Sequence, residues 1–236
     1  MKKRIFTGLG LLIVLASASQ DKKNYHELSF GVQNLQNKTV FSIYPNISDC
    51  PMGAHYYSNI KEQSLNLPSI SFLRYHLTQI KNLSFISGIG FNQKGFIETG
   101  SRVPMDKPSS IENHYSVKHI IRYLNLQLGF NYIFLRYGDL RFSISQIINS
   151  EKNMNRNPIF YNPWDNNNDT YKRIAFSWVT FLNIDALIDK NSGLVIKPFF
   201  QTALTNYNKA RTDFDGNVLQ NNYRPFGYGV SIGLTF

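Results

Sequence analysis

Apolar and polar positions alternate with period two from about residue 25 to the last residue, while helical spacing is scarce. In the closing segment Phe226, Tyr228, Val230, Ile232, Leu234 and Phe236 alternate with Gly227, Gly229, Ser231, Gly233 and Thr235. Earlier, Leu124, Leu126, Leu128, Phe130, Tyr132 and Phe134 alternate with Asn125, Gln127, Gly129 and Asn131, and Ile133 interrupts the polar side. Weaker copies bring the prediction to eight strands: Tyr25–Gln33, Pro68–Thr78, Leu83–Phe96, His119–Phe134, Leu140–Ile148, Arg173–Leu187, Leu194–Thr205 and Tyr223–Phe236. A phase change between Phe72 and Leu73 predicts a bulge or a misplaced strand. Pro198 lacks a ladder donor and predicts a bulge or local defect in the seventh.

The connections alternate as strictly as the side chains. Gln79–Asn82, Arg136–Asp139 and Asp189–Gly193 are short and rich in turn formers. Asn34–Leu67, Ile97–Lys118, Asn149–Lys172 and Asn206–Asn222 are long and polar. Short turns at one end, long loops at the other and an even strand count describe an all-β, eight-stranded antiparallel up-and-down transmembrane β-barrel. Both ends of the barrel domain then fall on the side of the short turns.

A water-soluble barrel would also alternate, with its polar face outward and rich in Lys and Glu. Here the polar face is Gly227, Gly229, Ser231, Gly233, Asn125, Gln127, Asn131, Ser143 and Ser145, residue types suited to a crowded, hydrogen-bonded interior. Arg141, Arg173, Asp185 and Lys197 share that phase, so with Asn125, Gln127 and Asn131 they form the expected interior polar network, in which the charges must pair. Tyr123, Tyr132, Phe134, Tyr137, Tyr171, Trp178, Tyr223 and Phe236 fall near strand ends, where an interfacial aromatic girdle belongs.

Composition sharpens this picture. Only 17% of the 236 residues are charged, against the roughly 25% of ordinary soluble domains. The mean hydropathy is nevertheless −0.27. A barrel with lipid outside and small uncharged residues inside accounts for both numbers. No stretch approaches the roughly 20 apolar residues of a membrane helix. Lys2, Lys3 and Arg4 precede an apolar run ending in Ala16, Ser17, Ala18 and Ser19, which predicts a signal peptide over 1–19 and a barrel domain over 20–236. Loss of those three cations takes the formal charge from +10 to +7. The single cysteine, Cys50, leaves no internal disulfide and reads as a free loop thiol.

The run Gly88-Ile89-Gly90-Phe91-Asn92-Gln93-Lys94-Gly95-Phe96, followed after a loop by Tyr123-Leu124-Asn125-Leu126-Gln127-Leu128, resembles the outer-membrane β-barrel family of Bacteroidota that includes PorT-like proteins. Gly90, Asn92, Gln93, Lys94 and Gly95 carry the motif. The closing segment, with Tyr228 and the terminal Phe236, is similar to the signal by which barrel-assembly machinery takes up its substrates. The resemblance implies residence in the cell outer membrane, contact with its lipids and lipopolysaccharide, and a role beside a secretion or adhesion partner. The family's fourth strand often reads Tyr-Leu-Glu-Ile-Pro, and here Asn125 and Gln127 replace the acid and the proline.

For chemistry the sequence offers little. No metal-ligand spacing, phosphate-binding loop or nucleophile motif is present, so no cofactor is expected. Eight strands leave an interior just wide enough for side chains, which favours a plugged, monomeric scaffold whose outer loops do the work. A second class is a lipid A-modifying enzyme, for which His114, Ser116 and His119, with Asp169 on another loop, are the candidate rim residues. A third is a secretion or adhesion component acting through loops such as Tyr161–Asp169. The dispersed basic charge suits anionic lipid headgroups rather than nucleic acid.

Overall fold

The computed structural model describes residues 24–37, 55–104, 113–154, 172–189, 192–207, 211–212, 218–219 and 223–236. The leader over 1–19, Cys50, Tyr171 and the loop Tyr161–Asp169 lie outside the described residues. Eight long strands form the barrel: β1 (Asn24–Asn37), β2 (His55–Leu77), β3 (Leu83–Pro104), β4 (Asn113–Tyr137), β5 (Leu140–Asn153), β6 (Ile174–Leu187), β7 (Gly193–Ala203) and β10 (Pro225–Thr235). Two-residue strands β8 (Arg211–Thr212) and β9 (Val218–Leu219) pair within the last long connection. Each barrel strand is antiparallel to its chain neighbours, and β10 closes on β1. Backbone bonds from the Phe236 amide to the His26 carbonyl (2.9 Å) and from the His26 amide to the Phe236 carbonyl (2.7 Å) extend this seam to the last residue.

Register fixes the shape. One circuit of paired residues runs Asn24, His76, Phe85, Phe130, Gln146, Thr180, Phe200, Tyr228 and Asn34, returning to β1 ten residues further on. Ten residues at about 3.3 Å, against eight interstrand steps of about 4.8 Å, give a strand tilt of roughly 40°. That is the tilt of a closed membrane barrel.

Outside, the even positions of β4 from Leu124 to Phe134 are exposed. With Phe30, Val32, Phe85, Ile89, Ile144, Ile148, Ile174, Phe176, Trp178, Leu182, Ile196, Phe200, Val230, Ile232 and Leu234 they form an apolar belt around the barrel. One polar cluster in the belt satisfies its indole and hydroxyl donors locally, as a membrane interior demands. Gln146 Oε1 accepts from Trp178 Nε1 and from Thr180 Oγ1 at 2.8 Å. Of the girdle aromatics, Tyr132, Phe134, Tyr137 and Trp178 do face outward, whereas Tyr123 and Tyr223 are buried inside. Tyr123 shares the interior phase of Asn125 and Gln127, Tyr223 lies just ahead of β10, and the register shift between Ile133 and Leu135 turns Tyr137 outward.

The strand ends differ from expectation. β2, β3 and β4 contain 23, 22 and 25 residues, about twice what a tilted transmembrane strand needs. Residues 55–66, 97–104 and 113–118, assigned to loops from the sequence, are paired strand projecting beyond the belt. No lipid meets either face there, so no apolar alternation marks them. No bulge separates Phe72 from Leu73, because pairing with β3 runs unbroken from Ser69 to Leu77. Both residues are apolar because Leu73 fills the interior while Phe72 faces out. The register shifts instead between Ser58 and Lys61 and between Ser64 and Ser69. Pro198 interrupts the ladder to β6 between Phe199 and Ile196 without changing register, and its pairing with β10 continues through Val230. It is a local defect and not a bulge. At the short turns, Asn82 and Gly138 take positive φ (66° and 56°), the conformation their residue types tolerate best.

Candidate functional site

The interior holds the chemistry. Working upward from the turn end, Arg141 Nε lies 3.7 Å from Asp185 Oδ2, and the Arg141 guanidinium sits 5.7 Å from the Tyr25 ring centroid. Tyr25 stacks on Tyr75 at 4.4 Å. Tyr75 donates its hydroxyl to Glu27 Oε2 (2.7 Å), and Glu27 Oε1 pairs with Lys197 Nζ. Lys197 is further held by Ser29 Oγ at 3.3 Å and by the Phe181 ring at 4.9 Å. Beside this cluster, Asn183 Nδ2 faces Asn131 Oδ1, Ser143 Oγ and Ser145 Oγ at 3.1, 2.9 and 2.8 Å.

A second charged cluster lies towards the loop end. Lys94 Nζ donates to both oxygens of Glu151 (2.9 and 2.7 Å) and to Tyr207 Oη (2.7 Å), while the Tyr207 hydroxyl donates to Glu151 Oε2. Ser177 Oγ (2.7 Å) and Gln201 Nε2 (3.2 Å) complete the carboxylate's shell. Lys94 and Glu151 are fully buried, and in so dry a setting such a pair persists only with its remaining donors and acceptors engaged. From Ser177 the network runs inward through Asn149 to Gln127.

Between the two clusters lies a cavity of about 40 Å³, room for a few waters, lined by Ser29, Gln33, Asn92, Asn125, Gln127 and Ser231 among others. Close packing surrounds it. A Cβ on Gly229 would lie 2.4 Å from Phe199 Cζ, so glycine on β10 admits that ring into the interior.

The family-motif residues meet here. Gly90 underlies Gln127, whose Oε1 would be 3.1 Å from a Cβ; Asn92 lines the cavity; the Gln93 carbonyl accepts from Gln33 Nε2 at 2.6 Å; and Lys94 forms the upper ion pair. A Cβ on Gly95 would sit 1.9 Å from the His119 carbonyl oxygen, so only glycine permits that approach of β3 to β4. Of the expected network, Asn125, Gln127, Asn131, Asp185 and Lys197 are buried and Arg141 is half-buried. Arg173 is exposed, just ahead of β6, and takes no part in the interior. Sequence reasoning missed Glu27, which shares its phase with Ser29 and Gln33 and was legible on that ground. It also missed Glu151 and Tyr207, because both fell in segments assigned to loops. Tyr228 is exposed on the lipid face, and Phe236 is half-buried with its ring 6.0 Å from that of His26.

Of the candidate rim residues, the three on β4 are described and do not share one face. His114 and Ser116 are exposed, His119 points to the opposite face and is buried against Phe96 at 4.7 Å, and Asp169 lies outside the described residues. Ser101 Oγ lies 3.0 Å from His114 Nδ1 across the β3–β4 ladder.

No protein-family model matches the chain, and no curated protein is similar to it in sequence. Solved structures similar in fold include three at 9% identity each. The outer membrane protein OprG from Pseudomonas aeruginosa has a TM-score of 0.41 over 91% of this chain and 97% of that one. The outer membrane protease OmpT from Escherichia coli has 0.36 over 92% and 97%. The translocator domain of autotransporter NalP from Neisseria meningitidis has 0.29 over 99% and 95%. The likeness is one of architecture alone.

His119 sits beyond the belt, five residues before Leu124, and burial pushes its imidazole down to about 4. In the unfolded chain it titrates near 6.5. The neutral form that the fold requires therefore supports the projecting segment fully above about pH 6.5, and that support is lost as pH falls towards 4. Amide exchange of 113–122 is expected to quicken over this window, and His119→Phe is expected to flatten the dependence.

Proposed function

We propose that this protein is an outer-membrane β-barrel serving as a plugged scaffold, with its projecting strands and long connections as the working parts. One observation carries the reading: two buried, hydrogen-bonded ion pairs, Lys94–Glu151 and Glu27–Lys197, cross the interior above and below a cavity with room for a few waters. An ion passing through would have to displace both. Reconstituted into a planar bilayer, the purified chain is expected to show no steady large conductance, and a sustained open channel would refute the scaffold reading.

A more specific role, as an accessory component of a secretion or adhesion system of the PorT-like kind, is favoured by the extension of β2, β3 and β4 beyond the belt. A three-stranded projection offers partners backbone edges and side chains at a fixed height. Crosslinking in intact outer membranes tests this role, with a discrete partner crosslinked through residues 113–118 as the expected result.

A further inference from the structure

The polar cluster in the belt is half complete. Gln146 Oε1 accepts from Trp178 Nε1 and from Thr180 Oγ1, and these two donors fix which end of the amide is oxygen. Among the described residues no group accepts from Gln146 Nε2. The nearby backbone carbonyls are engaged in the β4–β5 and β5–β6 ladders.

Its position makes this costly. Gln146 lies on the outward phase of β5 between Ile144 and Ile148, opposite Phe130 on β4 and Thr180 on β6. Exposed Phe130, Ile144, Ile148, Leu182 and Phe200 surround the Gln146–Thr180 pair. Phe130 is the outward position next to Leu128, at the middle of the apolar run of β4, so the amide lies near the bilayer midplane. No water reaches that depth, and two unmet N–H groups in hydrocarbon are strongly unfavourable. Lipid chains offer no acceptor there.

The same patch holds one. The Thr180 hydroxyl proton is committed to its own Gln146, which leaves the oxygen a lone pair to accept with. Donor and acceptor face each other across the β5–β6 ladder, about 4.8 Å apart at the backbone. A two-fold axis along the membrane normal keeps every residue at its own height, so a second barrel brings its Thr180 to the level of Gln146 and its Gln146 to the level of Thr180. An unmet donor beside an open acceptor at one height is self-complementary, as an isologous contact requires.

We infer that the outward face of β5 and β6 around Gln146 is a homodimer contact inside the membrane, in which Gln146 Nε2 of each copy donates to Thr180 Oγ1 of the other. The inference rests on the membrane residence proposed above. Lipid tails are as apolar as the surrounding side chains, so those contribute shape and the two reciprocal bonds decide the association. The sequence alone favours a monomer, because alternation reports apolar surroundings without distinguishing lipid from a second barrel.

Energy transfer between donor- and acceptor-labelled copies tests the contact, with the purified chain labelled unfolded at Cys50, its single cysteine, and then folded into phosphatidylcholine vesicles. Transfer is expected to rise with the protein-to-lipid ratio and to saturate as a dimer. Gln146→Leu and Thr180→Val are each expected to weaken association about thirtyfold, about fivefold for each of the two bonds. Thr180→Ser, which keeps the acceptor, and Phe30→Leu, on the opposite side of the barrel, are expected to associate like the parent. Heat-modifiable gel mobility verifies that each variant is folded. Transfer no greater than chance proximity at every ratio, or undiminished association of Gln146→Leu, would overturn the contact. Photocrosslinking from position 148 in intact membranes reports the occupant: a second copy is expected, and a different protein there overturns the homodimer. Separation of inner from outer membranes reports residence independently, so outer-membrane protein that stays monomeric overturns the contact and leaves the residence standing.

Discussion

Glu151→Gln is expected to destabilise the barrel by about 3–5 kcal/mol, measured as a lowered urea midpoint for loss of folded gel mobility in micelles. The carboxylate accepts from Lys94, Tyr207, Ser177 and Gln201. The neutral amide leaves the Lys94 ammonium buried without a counter-charge and turns an NH₂ towards donors that need an acceptor. Because the penalty comes from the stranded ammonium, Lys94→Met/Glu151→Gln is expected to recover at least half of the loss. If the single variant unfolds within 0.5 kcal/mol of the parent, the upper ion pair does not hold the interior together.

The second large effect concerns the outer surface. Leu128 lies midway along the exposed run Leu124–Phe134 and is 56% exposed, so in a bilayer it occupies the midplane. Leu128→Arg is expected to lower stability in phospholipid vesicles by about 2–4 kcal/mol. The same change at Ser116, exposed on the projecting part of β4, is expected to be nearly neutral. A neutral Leu128→Arg would mean that this face meets water, as it would on a soluble barrel.

These two expectations draw on different parts of the chain's legibility. The lipid-facing run of β4 was visible from alternation alone, since lipid on one side and a polar interior on the other impose opposite demands on successive residues. The same demands made Asn125, Gln127 and Asn131 visible as interior residues. Beyond the belt they lapse, and residues 55–66 and 113–118 carried no signal although they are paired strand. Glu151 was hidden for this reason: β5 runs to Asn153, past the point where its apolar positions end at Ile148.

Charge was harder to place than polarity. Phase alone grouped Arg173 with Arg141, Asp185 and Lys197, yet Arg173 precedes the first residue of β6 and is exposed, because phase fixes the face a side chain takes and not whether neighbours cover it at the strand end. Lys94 was visible as part of a motif, but its partners lie 57 and 113 residues away in sequence. Glu27 and Lys197 are 170 residues apart, joined only when β10 and β1 close the barrel between them.

The number and direction of the barrel strands, the faces of the belt-level alternating runs and the membrane-spanning fold follow from local alternation and turn residues, because every transmembrane strand meets lipid and interior in strict succession. The ten-residue stagger, the two ion-pair clusters and the cavity between them came from closure. Which residues on different strands share a height depends on the register summed around the whole circuit, and no local pattern along the chain records that sum.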